Sequence, residues 1–309
     1  MSERGRGGGA IWWAALSEVP GVGAATMLRL ARVFGSPEAA LAAPVEELIA
    51  RGELTPEQAR EVHSSGESME ALRARIEAYA QQGIRLISRE EAEYPRALLD
   101  LRSPPPLLYV KGELRAEDTR AVAVVGTRDP NREGARVARL LAREFARRGF
   151  TIVSGLARGI DTAGHKGALE VRGRSIAVLG SGLLRVYPPE NKLLARRVAQ
   201  HGALLAEVPP ETEVDRRFLL ARDRIQAALA RAVIVIQAHR ECGSIVTARH
   251  AVQCRRLLYG VPWTKEPFLG GGETLQGLGA RPITAESDLE EIAADIESWT
   301  PPEGQQALL

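Results

Sequence analysis

From residue 121 to residue 259 the chain alternates between short apolar runs and helical patterns, and this constrains the fold more than any other feature. Apolar runs at 121–125, 150–153, 175–179, 203–206, 232–236 and 256–259 read as strands. Between them, 131–148, 160–171, 190–201, 215–229 and 244–254 read as helices. Strands apolar on both faces must be covered on both faces, and strands separated by helices run parallel. The expectation is an α/β fold: a parallel sheet with helices on both sides. Ligands of such sheets bind at the carboxyl ends of the strands. In this sequence those ends are the loops 126–128, 154–161, 180–182, 207–213 and 237–244.

The loop 154–161 reads Ser-Gly-Leu-Ala-Arg-Gly-Ile-Asp, with His165 one turn into the next helix. Ser154, Gly155 and Gly159 let the backbone turn sharply and approach a ligand closely. The following helix presents free N–H groups and a positive dipole end, a ready anion site, and Arg158 adds a fixed charge. Asp161 is expected to accept N–H bonds inside its own loop. His165 has two readings, a histidine ordered by Asp161 or a contact to the ligand. Gly126, Thr127 and Arg128 form a second such loop, with Arg128 either a phosphate clamp or half of a surface ion pair. Ser181 stands between glycines and either binds phosphate or only shapes its loop; Lys192, at the start of a helix, reaches either the same groove or solvent. On the helix 215–229, spacing puts Phe218 and Arg222 on one face and Arg217 and Arg224 on another. An aromatic beside an arginine is the minimal unit for stacking a base and neutralising its phosphate, although Phe218 also fits a plain core position. Gly243 and Ser244, with Thr247, open the helix 244–254 as anion ligands or as caps. No nucleophile stands beside an obvious base. No run Gly-x-Gly-x-x-Gly follows a strand, which argues against a dinucleotide oxidoreductase.

Ahead of the alternating region, residues 11–82 read as short helices. Ser36-Pro37 and Thr55-Pro56 pair a capping residue with a proline at the first helical position. Between the first two helices, Val19-Pro20-Gly21-Val22-Gly23 carries a helix-hairpin-helix signature, which fits either a phosphate-binding turn or a plain hairpin. Residues 67–82 read as a charged helix, and 84–87 and 107–111 as strands around the non-helical Pro104-Pro105-Pro106. The expected organisation is a tail at 1–10, a helical domain at 11–82, a sheet domain at 83–285, and a C-terminal helix and tail at 286–309.

Composition adds little: 45% apolar and 26% charged residues are ordinary for a globular chain, and a net charge of +2 names no partner. Cys242 and Cys254 lack metal-like spacing and fit a reducing cytoplasm. No apolar run approaches the ~20 residues that span a bilayer, and the N-terminus lacks the apolar core of a signal peptide.

Taken in order, Tyr94-Pro95, 106–112, Gly126-Thr127-Arg128, 154–161 with His165, 177–182, 186–191 and 243–248 resemble the DNA-processing protein A family, also called Smf. The resemblance runs from about 11 to about 297. It implies an extended Rossmann-like domain preceded by a small all-α helix-hairpin-helix (SAM-like) domain. It further implies a cytoplasmic, non-enzymatic homodimer without cofactor or metal. Such a protein binds single-stranded DNA and loads RecA recombinase onto it during natural transformation. The sequence departs from the family pattern in its C-terminal half. Phe218-Leu219-Leu220 stands where the family has His-Phe-Pro, and Arg222-Asp223-Arg224 replaces Arg-Asn-Arg. Gln237 replaces Glu, Glu241-Cys242 replaces Arg-Ser, and Trp263 follows Val261-Pro262 in place of Gly. The end of the chain near Leu309 leaves no room for the winged helix of many relatives. Two alternatives keep the sheet but change the role: a phosphoribohydrolase-like nucleotide enzyme, whose Pro-Gly-Gly-x-Gly-Thr loop is absent here, and a nucleotide sensor.

Overall fold

The structure is a computed structural model that describes residues 9–239, 242–262 and 271–300; Glu241, Trp263 and the loop that follows it lie outside these. Six short helices come first: α1 (Ala10–Ser17), α2 (Ala24–Phe34), α3 (Pro37–Ala42), α4 (Val45–Ala50), α5 (Pro56–Glu67) and α6 (Met69–Gln81). Ser36 accepts from the amide of Ala39 at 3.0 Å, and Thr55 and Gln58 close a reciprocal capping box, so both proline-led helices start where their caps dictate. The helix expected over 67–82 is α6, which starts at Met69 because Ser68 leaves helical geometry between α5 and α6.

Two strands follow, β1 (Ile84–Ser88) and β2 (Leu107–Gly112), and then the alternating region: β3 (Ala121–Gly126), α7 (Arg132–Arg147), β4 (Thr151–Ser154), α8 (Ile160–Glu170), β5 (Ser175–Leu179), α9 (Lys192–His201), β6 (Gly202–Ala206), α10 (Arg216–Leu229), β7 (Ala232–Ile236), α11 (Gly243–Gln253) and β8 (Leu257–Val261). After α12 (Gly271–Gly277) come β9 (Arg281–Pro282) and α13 (Leu289–Ser298). All nine strands form one sheet, ordered β1-β2-β6-β5-β4-β3-β7-β8-β9. β3 to β9 run parallel, while β1 and β2 join the β6 edge antiparallel, so the sheet is mixed where sequence reasoning made it wholly parallel. Residues 256–259 do not end the series either. Arg256 lies before the strand, its guanidinium on the Asp100 carboxylate at 2.6 Å, and β9 adds a further parallel partner.

Alternation along β3 shows why the central strands are apolar on both faces. Val122 and Val124 pack with Val137, Leu141 and Phe145 of α7 and with Ile292 and Ile296 of α13 on one face. Ala121, Ala123 and Val125 pack with Ile225, Ala228 and Ile245 of α10 and α11 on the other. The N-terminal helices share a third apolar cluster with Tyr109, Ala177, Leu179 and Leu204, so they sit on the sheet itself. Ser17 Oγ lies 3.3 Å from Tyr109 Oη, and Trp13 Nε1 donates to Glu90 at 3.1 Å, which tie α1 to the antiparallel edge.

The sheet order reverses between β3 and β7. From β3 the chain winds outward through β4, β5 and β6, then returns to the other side of β3 for β7 and β8. At such a switch point the two flanking loops diverge to opposite faces and leave a crevice at the carboxyl ends.

Candidate functional site

A cavity of about 630 Å³ occupies that crevice. Its walls are Gly126, Thr127 and Arg128 after β3, Ala157 and Asp161 after β4, the first turns of α10, and Cys242, Gly243 and Ser244 at the start of α11. A smaller groove of about 300 Å³ shares Arg128, Ala157, Tyr187 and Arg222 with it and continues toward Arg158. Five of the seven residues predicted in the first two loops, Gly126, Thr127, Arg128, Gly155 and Arg158, therefore line one connected depression, as do Arg222, Gly243 and Ser244. Gly159 lies behind it. Its φ of +75° turns the chain into α8 beside the carbonyls of Thr127 and Arg128, where a side chain would collide with backbone.

The floor is built around Arg222, which is 6% exposed. Its guanidinium donates to Val178 O at 2.7 Å, lies 2.9 Å from Asp223 Oδ1 and 3.9 Å from Asp161 Oδ2, and presses on Gly155, where a Cβ would stand 1.5 Å from Nη1. Gln226, with its amide oxygen turned toward them, accepts from Gly155 N at 2.6 Å and Arg222 Nη1 at 3.1 Å. Asp161 accepts from the amides of Gly155 at 3.1 Å and Ala157 at 3.3 Å, the local role its loop position suggested. Burial raises the Asp161 pKa despite Arg222 and those amides. Burial also pushes Asp223 up to about 6, the neighbouring Asp161 charge adding to it and Arg222 and Arg128 opposing it. Arg128 and Arg216 stand exposed at the rim, and among the described residues neither forms an ion pair. Arg158 is exposed too, but its guanidinium is held by Glu190.

Several predicted contacts are displaced. His165 is fully buried: its Nδ1 lies 2.8 Å from Ser175 Oγ rather than on Asp161, and desolvation lowers its pKa to about 3, so it is a neutral core residue that no strand of DNA can touch. Ser154 is also fully buried and donates to Val124 O at 2.7 Å. Ser181 is 1% exposed and outside the cavity, because β5 lies two strands away from β3; its loop is covered by Leu219 and by the Pro209–Pro210 carbonyls. Lys192 is exposed on α9 and lines neither part of the depression. Phe218 and Arg222 do not share a cavity. Phe218, Arg217 and Arg224 line a separate cleft of about 880 Å³ against Gly21, Gly23 and Tyr79. There Arg217 pairs with Asp215, Arg75 with Glu18, and Arg224 Nη2 grips both oxygens of the half-buried Glu207 at 2.5 and 2.6 Å.

Sequence reasoning gave no site role to four residues, although it marked Asp223 and Gln237 as departures from the family pattern. Arg216 and Asp223 are set by the pitch of α10 at the switch point, and only the strand order would have singled them out. Asn191 holds the β4 loop from behind, donating to Leu156 O and Thr162 Oγ1, each at 2.8 Å. Gln237 pins the loop after β3: its amide pairs with Asn131, whose side chain caps α7 through Gly134 N at 2.8 Å. That departure from the family pattern thus lies outside the cavity.

A mostly parallel sheet covered by helices, with a crevice at its switch point, defines a Rossmann-like α/β protein. The family model for DNA recombination-mediator protein A matches residues 85–294, and the chain belongs to that family. Protein Smf of Synechocystis is 33% identical over 304 residues, covering 91% of this chain and 75% of the relative. DNA processing protein A from Streptococcus pneumoniae has a solved structure that superimposes with a TM-score of 0.76 at 27% identity, covering 91% of this chain and 96% of that one. The Helicobacter pylori protein, whose structure is described for its single-stranded DNA binding mode, gives 0.62 at 29% identity over 69% of this chain and 96% of that one. No helix among the described residues is long and apolar enough to cross a membrane.

Proposed function

We propose that this chain binds single-stranded DNA in the switch-point cavity and delivers it to RecA recombinase, acting as a homodimer and without chemistry of its own. The observation that carries the reading is the pair of unpaired rim arginines, Arg128 and Arg216, above a crevice whose α11 wall presents the free N–H groups of a helix start. Phosphates on a flexible strand reach such a rim while their bases turn inward; a stiff duplex keeps its bases stacked and cannot. The Helicobacter pylori relative supports the choice of ligand.

The test is a titration of single-stranded DNA, duplex DNA and nucleoside monophosphates side by side. Single strands are expected to bind at least about tenfold tighter than duplex, ~1.4 kcal/mol, with no release of base from the monophosphates. Equal affinity for single strand and duplex refutes the reading. Recombinase delivery is tested by whether the protein speeds RecA filament growth on strands already coated by a single-strand-binding protein.

A further inference from the structure

The cavity is charged in layers. Arg128 and Arg216 stand at the mouth, exposed, whereas the carboxylates of Asp161 and Asp223 lie at the base around one arginine, Arg222, that is already shared between them. A phosphate at that depth would meet two carboxylates and a spent guanidinium, so anions belong at the rim. What enters further must be neutral and must offer hydrogen to an acceptor. Asp223 provides that acceptor. Its side chain is 7% exposed and lines the cavity, and Oδ1 faces Arg222. Oδ2 has no donor among the described residues and lies 3.4 Å from where a Cβ at Gly243 would stand, on the open side. An acceptor that no protein group satisfies, on a side chain otherwise enclosed, is open to a donor from a ligand.

We propose that Asp223 reads one base of the bound strand, selecting a guanine, whose N1–H and N2–H₂ groups present adjacent donors, over a thymine, whose single N3–H is flanked by two carbonyl oxygens. The inference rests on the single-strand reading above and adds base selectivity to it. Phosphate contacts carry no sequence information, so selectivity has to come from a group that meets a base edge. Adenine and cytosine, with one amino group each, fall between the two.

The same geometry makes the preference depend on pH. An ionised Asp223 accepts; a protonated one donates, and then suits the thymine carbonyls instead. The groups that face it are Arg222 and Arg216 on α10, Asp161 on α8, Arg128 on the loop after β3 and Cys242 before α11. With the carboxyl titrating near 6, selectivity is expected to be full at pH 8 and largely gone at pH 5.

The experiment measures binding of a thymidine 15-mer and of the same strand with its central residue replaced by deoxyguanosine, at pH 8 and pH 5, for the native protein and Asp223→Asn. The guanine strand is expected to bind the native protein about tenfold tighter at pH 8, as one hydrogen bond to a charged group gives. At pH 5 the ratio is expected to fall below about threefold, and in Asp223→Asn, which both donates and accepts, to stay there at both pH values. A ratio of one in the native protein at pH 8, or a preference that survives in Asp223→Asn, overturns the proposal. If the variant does not fold, the pH dependence of the native protein decides alone. Failure of every strand to bind would instead refute the single-strand reading.

Discussion

Two depressions flank the first turns of α10, and they treat charge in opposite ways. In the switch-point cavity the rim arginines, Arg128 and Arg216, are unpaired among the described residues. In the cleft beneath the Gly21–Gly23 turn, Arg75, Arg217 and Arg224 are each already held by a carboxylate. Sequence reasoning gave Arg128 of the first set and Arg217 and Arg224 of the second the same standing as DNA ligands. An arginine count is therefore a poor guide; what distinguishes a binding arginine from a structural one is whether the fold has supplied its counter-ion.

The sharpest way to break the contrast is to remove the shared arginine. Arg222→Met leaves Asp161 and Asp223 buried without their cation and is expected to cost ~3–5 kcal/mol in urea unfolding. A loss under about 1 kcal/mol would mean that the floor is not held by Arg222.

Acid probes the layer behind the cavity. The folded pKa of His165, near 3, lies below its ordinary value near 6.5. Its contribution is complete above pH 6.5 and is lost as pH falls toward 3, by on the order of 5 kcal/mol. Asp223, raised to about 6, acts oppositely, its contribution fading as pH rises through 6. His165→Gln is expected to flatten the acid limb of a stability–pH curve. An unchanged limb would mean that His165 is not a buried neutral group in the native protein.

In the cleft, Arg224→Met strands the half-buried Glu207 and is expected to cost roughly 3 kcal/mol, restored in part by adding Glu207→Leu. The double variant should bind single strands within twofold of the native protein. A large loss of affinity there would put DNA in the cleft and erase the contrast.

Smaller effects sharpen it. Arg128→Ala and Arg216→Ala should each weaken single-strand binding by ~1.4 kcal/mol and lower the salt slope by roughly 0.7, measured by titration in rising salt. Phe218→Ala should change affinity less than twofold for strands short enough to fill only the cavity; a stacking loss of ~1–3 kcal/mol would relocate the path.

The layered sheet was legible because the strands from β3 to β7 are apolar and buried on both faces, a pattern a helix-covered parallel sheet explains. The loops 126–128 and 154–161 were legible as a site because glycine and arginine after a strand have few other uses. Strand order was not legible. It is fixed by which edges meet, and residues such as Ser181 and Arg216 change meaning entirely with it. Burial of individual polar groups was hidden for the same reason: Ser154 and His165 read as ligands until β3 and β5 are seen to enclose them.

The antiparallel pair β1 and β2 joins the N-terminal helices to the sheet through backbone ladders and the Ser17–Tyr109 contact. This region therefore cannot be lifted off as a separate module. Cutting the chain near residue 83 would strip cover from Tyr109, Ala177 and Leu179 and leave β1 as a bare edge, open to pairing with another copy. For anyone grafting or truncating a chain of this kind, the usable seam is not where the helices end and the strands begin.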